Sequence, residues 1–175
     1  MKESEIRVHC GKKTIVRKIW KNLCTAIVKC DAAKTGKKLT VNNYSRVTSN
    51  TYLSDNVSFN GMRISGAGRV EIGKYFHSGK GCNIITDTHN YEGTMIPYDK
   101  TDIVRSVKID DFVWIGSFVT ILGGVHIGEG AIIQAGAVVV NDIPPFAIGG
   151  GNPAIVFKYR DKEHFLQLKE AGLYN

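Results

Sequence analysis

No run in this 175-residue chain is long and apolar enough to cross a bilayer. The first residues also lack the succession of a signal peptide. A membrane-spanning or secreted protein is therefore not expected, and the cytoplasm is the expected compartment. Cysteine is scarce: Cys10, Cys24, Cys30 and Cys82 show neither zinc-ligand pairing nor a disulfide framework. They are expected to stay reduced, with Cys82 a small core residue rather than a nucleophile. Acidic residues are nearly missing from positions 1–40, where 11 Lys/Arg face 3 Asp/Glu, a balance of +8; the remainder holds 12 against 13, a balance of −1. The overall charge of +7 thus belongs to one end of the chain. No nucleic-acid recognition motif accompanies it, so nucleic acid is not an expected partner.

What the chain does have is a repeat of six. From Ile103 it reads IVRSVK, IDDFVW, IGSFVT, ILGGVH, IGEGAI, IQAGAV, and VVNDIP ends the run at Pro144. First positions are Ile103, Ile109, Ile115, Ile121, Ile127, Ile133 and Val139; fifth positions are Val107, Val113, Val119, Val125, Ala131, Ala137 and Ile143. A period of six is neither helical nor a simple strand alternation; a short fixed hexad marks a parallel β-helix. Three hexads close one triangular coil, which predicts Ile109 stacked on Ile127, Ile115 on Ile133 and Ile121 on Val139. Val41, Val47, Leu53 and Phe59 carry the same period earlier, and the phase slips by one between Phe59 and Gly66. A new frame follows at Ile72, Ser78 and Ile84.

The expected organisation has three parts. Residues 1–40 form a basic segment, with a possible short strand at Ile6–Cys10 and an amphipathic helix over Lys12–Lys29. The apolar stripe of that helix is Ile15, Ile19, Leu23 and Ile27, flanked by Val16 and Trp20. It is read either as a cap over the first coil or as a contact with an anionic membrane surface. Residues 41–145 form the coil domain, interrupted by a polar insertion at 90–102 (NYEGTMIPYDKTD). Residues 146–175 hold a GGNPA segment and a helix over Asp161–Ala171, with Asp161 as its cap, Phe165 and Leu168 on one face and Gly172 at its end. That helix is expected to cover the last coil.

A scaffold that throws out one long loop invites function there. His89 stands where the coil gives way to the loop, and an imidazole can take a hydroxyl proton near neutral pH. Its other ring nitrogen needs a partner: Asp102, Glu92 or a backbone carbonyl. His77 and His126 also end hexads; His77 is read as structural or at a substrate edge, His126 as a turn residue. Trp114 ends a hexad too, and its indole is expected to point outward.

TDTHNYEG, the IPYDKTD loop, VKIDDFVWIGSFVTILGGVHIGEGAIIQAGAVVVNDIPP and AIGGGNPAIVFKYR together resemble the hexapeptide-repeat acyltransferases, over roughly residues 41 to 160. Within them the chain looks most similar to sugar and capsular-polysaccharide O-acetyltransferases of the maltose/galactoside type. The resemblance implies an all-β fold, a left-handed parallel β-helix with a protruding loop, an N-terminal basic helical segment and a short C-terminal helix. It also implies acetyl-CoA as donor, no metal, and a homotrimer with sites between subunits. His89 would be the general base, and the backbone N–H of Ser117 would face the thioester oxygen. Trp114, Gly116, Ser117, Ala135 and Gly136 would line the donor arm. Lys158 would meet the nucleotide phosphates, with Arg160 added by its nearness in sequence. Asn90, Tyr91, Tyr98, Asp99 and Asp102 in the loop, with His77, are the candidates for a sugar or glycan acceptor. The chain departs from the family at Val140–Asn141, where a Thr-Lys pair is common, and at Ile155, where an arginine is common. Its first 40 residues do not match the helical domain usual in sugar acetyltransferases. Three alternatives stay open: a xenobiotic acetyltransferase of the chloramphenicol or streptogramin type, a γ-carbonic-anhydrase-like zinc enzyme, and a non-catalytic scaffold.

Overall fold

The computed structural model describes residues 15–174. Helix Ile15–Asp31 opens the described chain, short strands wind around three faces, and helix Lys162–Glu170 follows. The first face stacks Lys34–Thr35, Thr51–Leu53, Val70–Ile72, Val107–Ile109 and His126–Ile127, all parallel. The second stacks Thr40–Val41, Ser58–Asn60, His77–Lys80, Trp114–Ile115, Ile132–Ile133 and Ala147–Gly150, again parallel. The third stacks Arg63–Ser65, Asn83–Ile85, Thr120–Leu122 and Val138–Val139.

The register follows the hexad. Ile109 pairs with Ile127, Ile115 with Ile133 and Ile121 with Val139. Fifth and first positions lie two apart across a turnless step, so alternation along a strand sends both inward. Val107 with Ile109, and Val113 with Ile115, are buried in this way, as is Cys82. Where the phase slips, Leu53 pairs with Ile72 and Ile64, not Ser65, points inward opposite Ile84. Gly61 and Gly66, with φ of 89° and 95°, take the turns around the slip. Ile121 sits fully buried between Ile84 and Val139. Its replacement by alanine is expected to cost about 2–5 kcal/mol, checked by denaturant unfolding.

Three expectations change. Ile103 is not the first residue of a resumed coil: Asp102–Val104 pairs antiparallel with Asp87–His89, so the excursion runs from 87 to 104. The coil resumes as the Arg105 amide bonds the Thr86 carbonyl at 2.8 Å. The N-terminal helix meets the coils not through its apolar stripe but through Cys24 and Val28, which are buried. These two are four apart and one residue out of phase with Leu23 and Ile27, about 100° around the helix. Thr25 Oγ1 accepts from the Val41 amide at 3.2 Å, and Asp31 pairs with Arg46 at 3.2 Å. The expected strand at Ile6–Cys10, and Lys12 and Lys13, lie outside the described residues. Finally, the C-terminal helix runs beside the coils rather than over the last one. Asp161 caps it, its carboxylate accepting from the His164 amide at 2.9 Å, and buried Phe165 rests against Phe146 and Phe112. Beyond the helix, Tyr174 reaches back to Tyr75.

The faces differ outwardly. Glu71, Lys108 and His126 point out from the first face, as strand alternation requires of residues flanked by buried neighbours. On the third, one outward row is Ser65, Ile85, Leu122 and Val140 and the other is Arg63, Asn83, Thr120 and Val138, with exposed Phe118 at the edge.

Candidate active site

The excursion is a twisted ribbon. Its register sets His89 opposite Asp102, and directly opposed residues of an antiparallel pair project to the same side. The Asp102 carboxylate therefore meets His89 Nδ1 at 2.9 Å. A carboxylate can only accept, so Nδ1 carries the proton, and in the neutral ring Nε2 is then the acceptor. Tyr98 comes back from the loop to stack on the imidazole, centroids 4.0 Å apart and planes 15° from parallel. The His89 side chain remains 60% exposed. Of the orienting groups the sequence left open, Asp102 is the one used. Tyr98 and Asp102, both among the expected acceptor contacts, also touch the histidine.

Asp99 also has other work. It accepts from the Thr94 and Thr101 amides at 2.9 and 2.8 Å and from both hydroxyls. The Thr101 hydroxyl above all, then these amides, pull its carboxyl down to about 2. The Asn90 side chain bonds Thr101 Oγ1 and the Glu92 amide. Both residues tie the loop together, and their polar groups are largely engaged there. Because the folded carboxyl titrates below its ordinary 3.8, the clamp is complete above that pH and is lost as pH falls through about 2. Asp99→Asn is expected to expose the 91–98 tip to faster cleavage at neutral pH, read by limited proteolysis. Tyr91 stays exposed. At the foot of the loop it joins Ile85, Thr88, Ile103, Arg105 and Leu122 around a cavity of about 310 Å³. Arg105 was not picked out from the sequence; only closure of the ribbon brings it there.

A second set of candidates gathers at the corner between the second and third faces. Ser117 Oγ accepts from the Lys80 amide at 3.0 Å, and the Ser117 carbonyl accepts from the Gly136 amide at 2.8 Å. The Ser117 N–H has no acceptor among the described residues. A Cβ on Gly79 would strike the Ser117 backbone, and one on Gly116 would strike Ala135, so glycine is what lets these turns stack closely. Gly136, with φ of 74°, has nothing within 4 Å of where its Cβ would lie. The column is thus an open edge of peptide groups.

Trp114 and His77 are register partners on the second face. Trp114 points outward as expected, 55% exposed. Together with Tyr75, Phe112, Arg160 and Phe165 they line a groove of about 390 Å³ under the C-terminal helix. Arg160 does not accompany Lys158. It bonds the Gly130 carbonyl at 3.1 Å and covers the Phe165 ring, and burial lowers its pKa. Arg160 lies just past the end of strand Ile155–Tyr159, whereas exposed Lys158 lies within it and pairs with Ile148. His126 Nε2 meets Asp110 at 2.8 Å on the first face. His77, His89 and His126 therefore stand apart, and among the described residues no group of three His, Cys, Asp or Glu could hold a metal ion.

His89 and Ser117 do not meet within one chain. Ser117 lies where the third face begins, and the His89 ribbon leaves where it ends. The outer surface of that face separates them.

Residues 106–141 match the family model described as bacterial transferase hexapeptide (six repeats), and over the same stretch successive coils pair in register, 18 residues apart. Over that stretch the chain carries a bacterial transferase hexapeptide repeat. Its β-helix is left-handed, as in its structural neighbours. It is similar to a maltose O-acetyltransferase from Clostridium difficile 630, with a TM-score of 0.59 and 26% identity over 74% of this chain and 67% of that one. A galactoside acetyltransferase in complex with coenzyme A gives 0.68 and 26% over 80% and 71%. A Schizosaccharomyces pombe protein named as a candidate acetyltransferase is 56% identical over 48 residues, 27% of this chain and 23% of that protein. One from Staphylococcus aureus MRSA252 is 46% identical over 57 residues, 33% and 29%. The matched segments thus span well under a third of these curated relatives.

Proposed function

We propose that this protein moves an acetyl group from acetyl-CoA to a hydroxyl of a sugar or surface-polysaccharide precursor, as a homotrimer in the cytoplasm. The observation that carries the reading is the exposed His89 ring, held by Asp102 and Tyr98 with Nε2 open to the surroundings. His89 Nε2 takes the proton of the acceptor hydroxyl as its oxygen attacks the thioester carbonyl. The Ser117 N–H, facing the carbonyl oxygen, stabilises the negative charge that develops there, an interaction worth about 2.7–4 kcal/mol in comparable sites. The imidazolium returns its proton to the departing sulfur. Holding both substrates together supplies proximity, so no covalent enzyme intermediate is required.

The donor arm is assigned to the open corner at Gly116, Ser117, Ala135 and Gly136, beside Trp114, with Lys158 towards the phosphates. Support for a trimer comes from the third face: Ile85, Leu122 and Val140 form an apolar outward row on it, and it parts His89 from Ser117. A second copy packed there would cover that surface and complete the site from two chains. Tyr91 and the cavity at the loop foot are assigned to the acceptor, with His77 at the edge of the neighbouring groove. Buried Cys24 and Cys82, both free thiols, suit a reducing compartment. The galactoside and maltose enzymes among the structural neighbours support an oxygen acceptor.

Free-thiol release from acetyl-CoA tests this, run against sugars, nucleotide sugars, amino sugars and hydroxylated antibiotics. Turnover with a hydroxylated sugar is the expected result, together with protection against heat by acetyl-CoA. Thiol release only with an antibiotic or an amine would reassign the acceptor. No release with any acceptor and no thermal protection would leave a scaffold.

A further inference from the structure

The acyl-transfer reading gives no role to the N-terminal helix. Ile15, Val16, Ile19, Trp20 and Leu23 are 80%, 76%, 63%, 45% and 53% exposed. They share one arc of the helix, and the face that meets the coils lies elsewhere, at Cys24 and Val28. With 100° per residue, the centres of the two faces are about 130° apart. A contiguous apolar patch of this kind marks an interaction surface rather than a casual exposure. The flanks are basic: Arg17, Lys18 and Lys29 are exposed, and the helix holds no acidic residue before Asp31, which is engaged by Arg46. The helix is neither long nor apolar enough to cross a membrane.

We propose that this helix docks the protein on a membrane surface rich in anionic lipid. Its stripe enters the boundary between headgroups and acyl chains, Trp20 lies at that boundary, and Arg17, Lys18 and Lys29 meet lipid phosphates. Charge complementarity selects this occupant. A second copy laid stripe to stripe would set two cationic flanks together, and the one carboxylate of each helix, Asp31, is already engaged by Arg46. An anionic surface answers both the apolar arc and the +8 balance of residues 1–40. The inference is independent of the chemistry at His89.

The full chain is sedimented with vesicles of phosphatidylcholine alone, or of phosphatidylcholine with about a third phosphatidylglycerol, at low and high salt. Expected is binding at least about tenfold tighter to the anionic vesicles, weakening as salt rises. Ile19→Glu with Leu23→Glu abolishes it, and Arg17→Glu with Lys18→Glu weakens it about tenfold or more. All four positions are exposed, so thermal melting and thiol release with a soluble acceptor stay unchanged. Equal binding to both vesicle types, or none, overturns the proposal. So does a loss of oligomer size in Ile19→Glu with Leu23→Glu while vesicle binding persists, which would give the stripe to a second copy.

Discussion

Replacing His89 by alanine is expected to lower turnover by about 10²–10⁴, with the KM for acetyl-CoA and the melting temperature nearly unchanged. With the imidazole as the proposed base, its loss would remove proton transfer in the transition state and not donor binding. Its side chain is 60% exposed and buries no core surface, so the coils lose nothing. Asp102→Asn separates positioning from base strength. The amide can present its oxygen to Nδ1 at the same 2.9 Å but brings no charge to the imidazolium that forms. Its kcat is expected to fall by less than that of His89→Ala, with KM again held and the pH–rate profile displaced. Equal turnover in His89→Ala and the native protein would remove His89 from the chemistry. A loss in Asp102→Asn accompanied by lower melting temperature would make Asp102 a structural tie only.

Mixed oligomers give the second large effect. Ala135→Trp places an indole in the open corner assigned to the donor, at an exposed turn, and is expected to inactivate the protein while it folds. His89→Ala inactivates through the opposite edge of the third face. If each site takes His89 from one chain and the Ser117 corner from the next, co-expression in equal amounts restores about a quarter of the native sites. Each variant alone stays near background. The recovery follows from combining independent halves: half of the sites receive an intact histidine, and half of those an intact corner. Mixed oligomers with no recovered activity would mean that both groups serve within a single chain, contrary to the separation across the face.

Several elements were legible before any coordinates. The hexad, the inward positions, the stacking of Ile109, Ile115 and Ile121 on the next coil, the slip near Gly66 and the Asp161 cap all rest on local periodicity and turn chemistry. His89 stood out because a repeat that stops leaves its last polar residue at an edge. Other features needed contacts distant in sequence. Asp102 was one of three partners for His89 until the ribbon register set the two opposite. Asp99 read as a sugar ligand because nothing local showed that Thr94 and Thr101 occupy it. Arg160 was grouped with Lys158 by nearness in the chain, but past the end of strand Ile155–Tyr159 its guanidinium is taken up by the Gly130 carbonyl and the Phe165 ring. The N-terminal helix misled most. Its stripe has the right period, but periodicity reports that a helix has an apolar face, not that this face meets the protein's own core.

Residue order alone determined a three-sided solenoid, since a side chain that recurs every sixth position can be buried only if the chain turns at that interval. Tertiary structure alone decided which carboxylate holds the imidazole, which loop groups are already engaged, and that Cys24 and Val28 rather than Ile15 and Ile19 close the first coil. Those outcomes depend on which groups, remote along the chain, arrive within hydrogen-bonding or packing distance of one another, and a one-dimensional period carries no information about that.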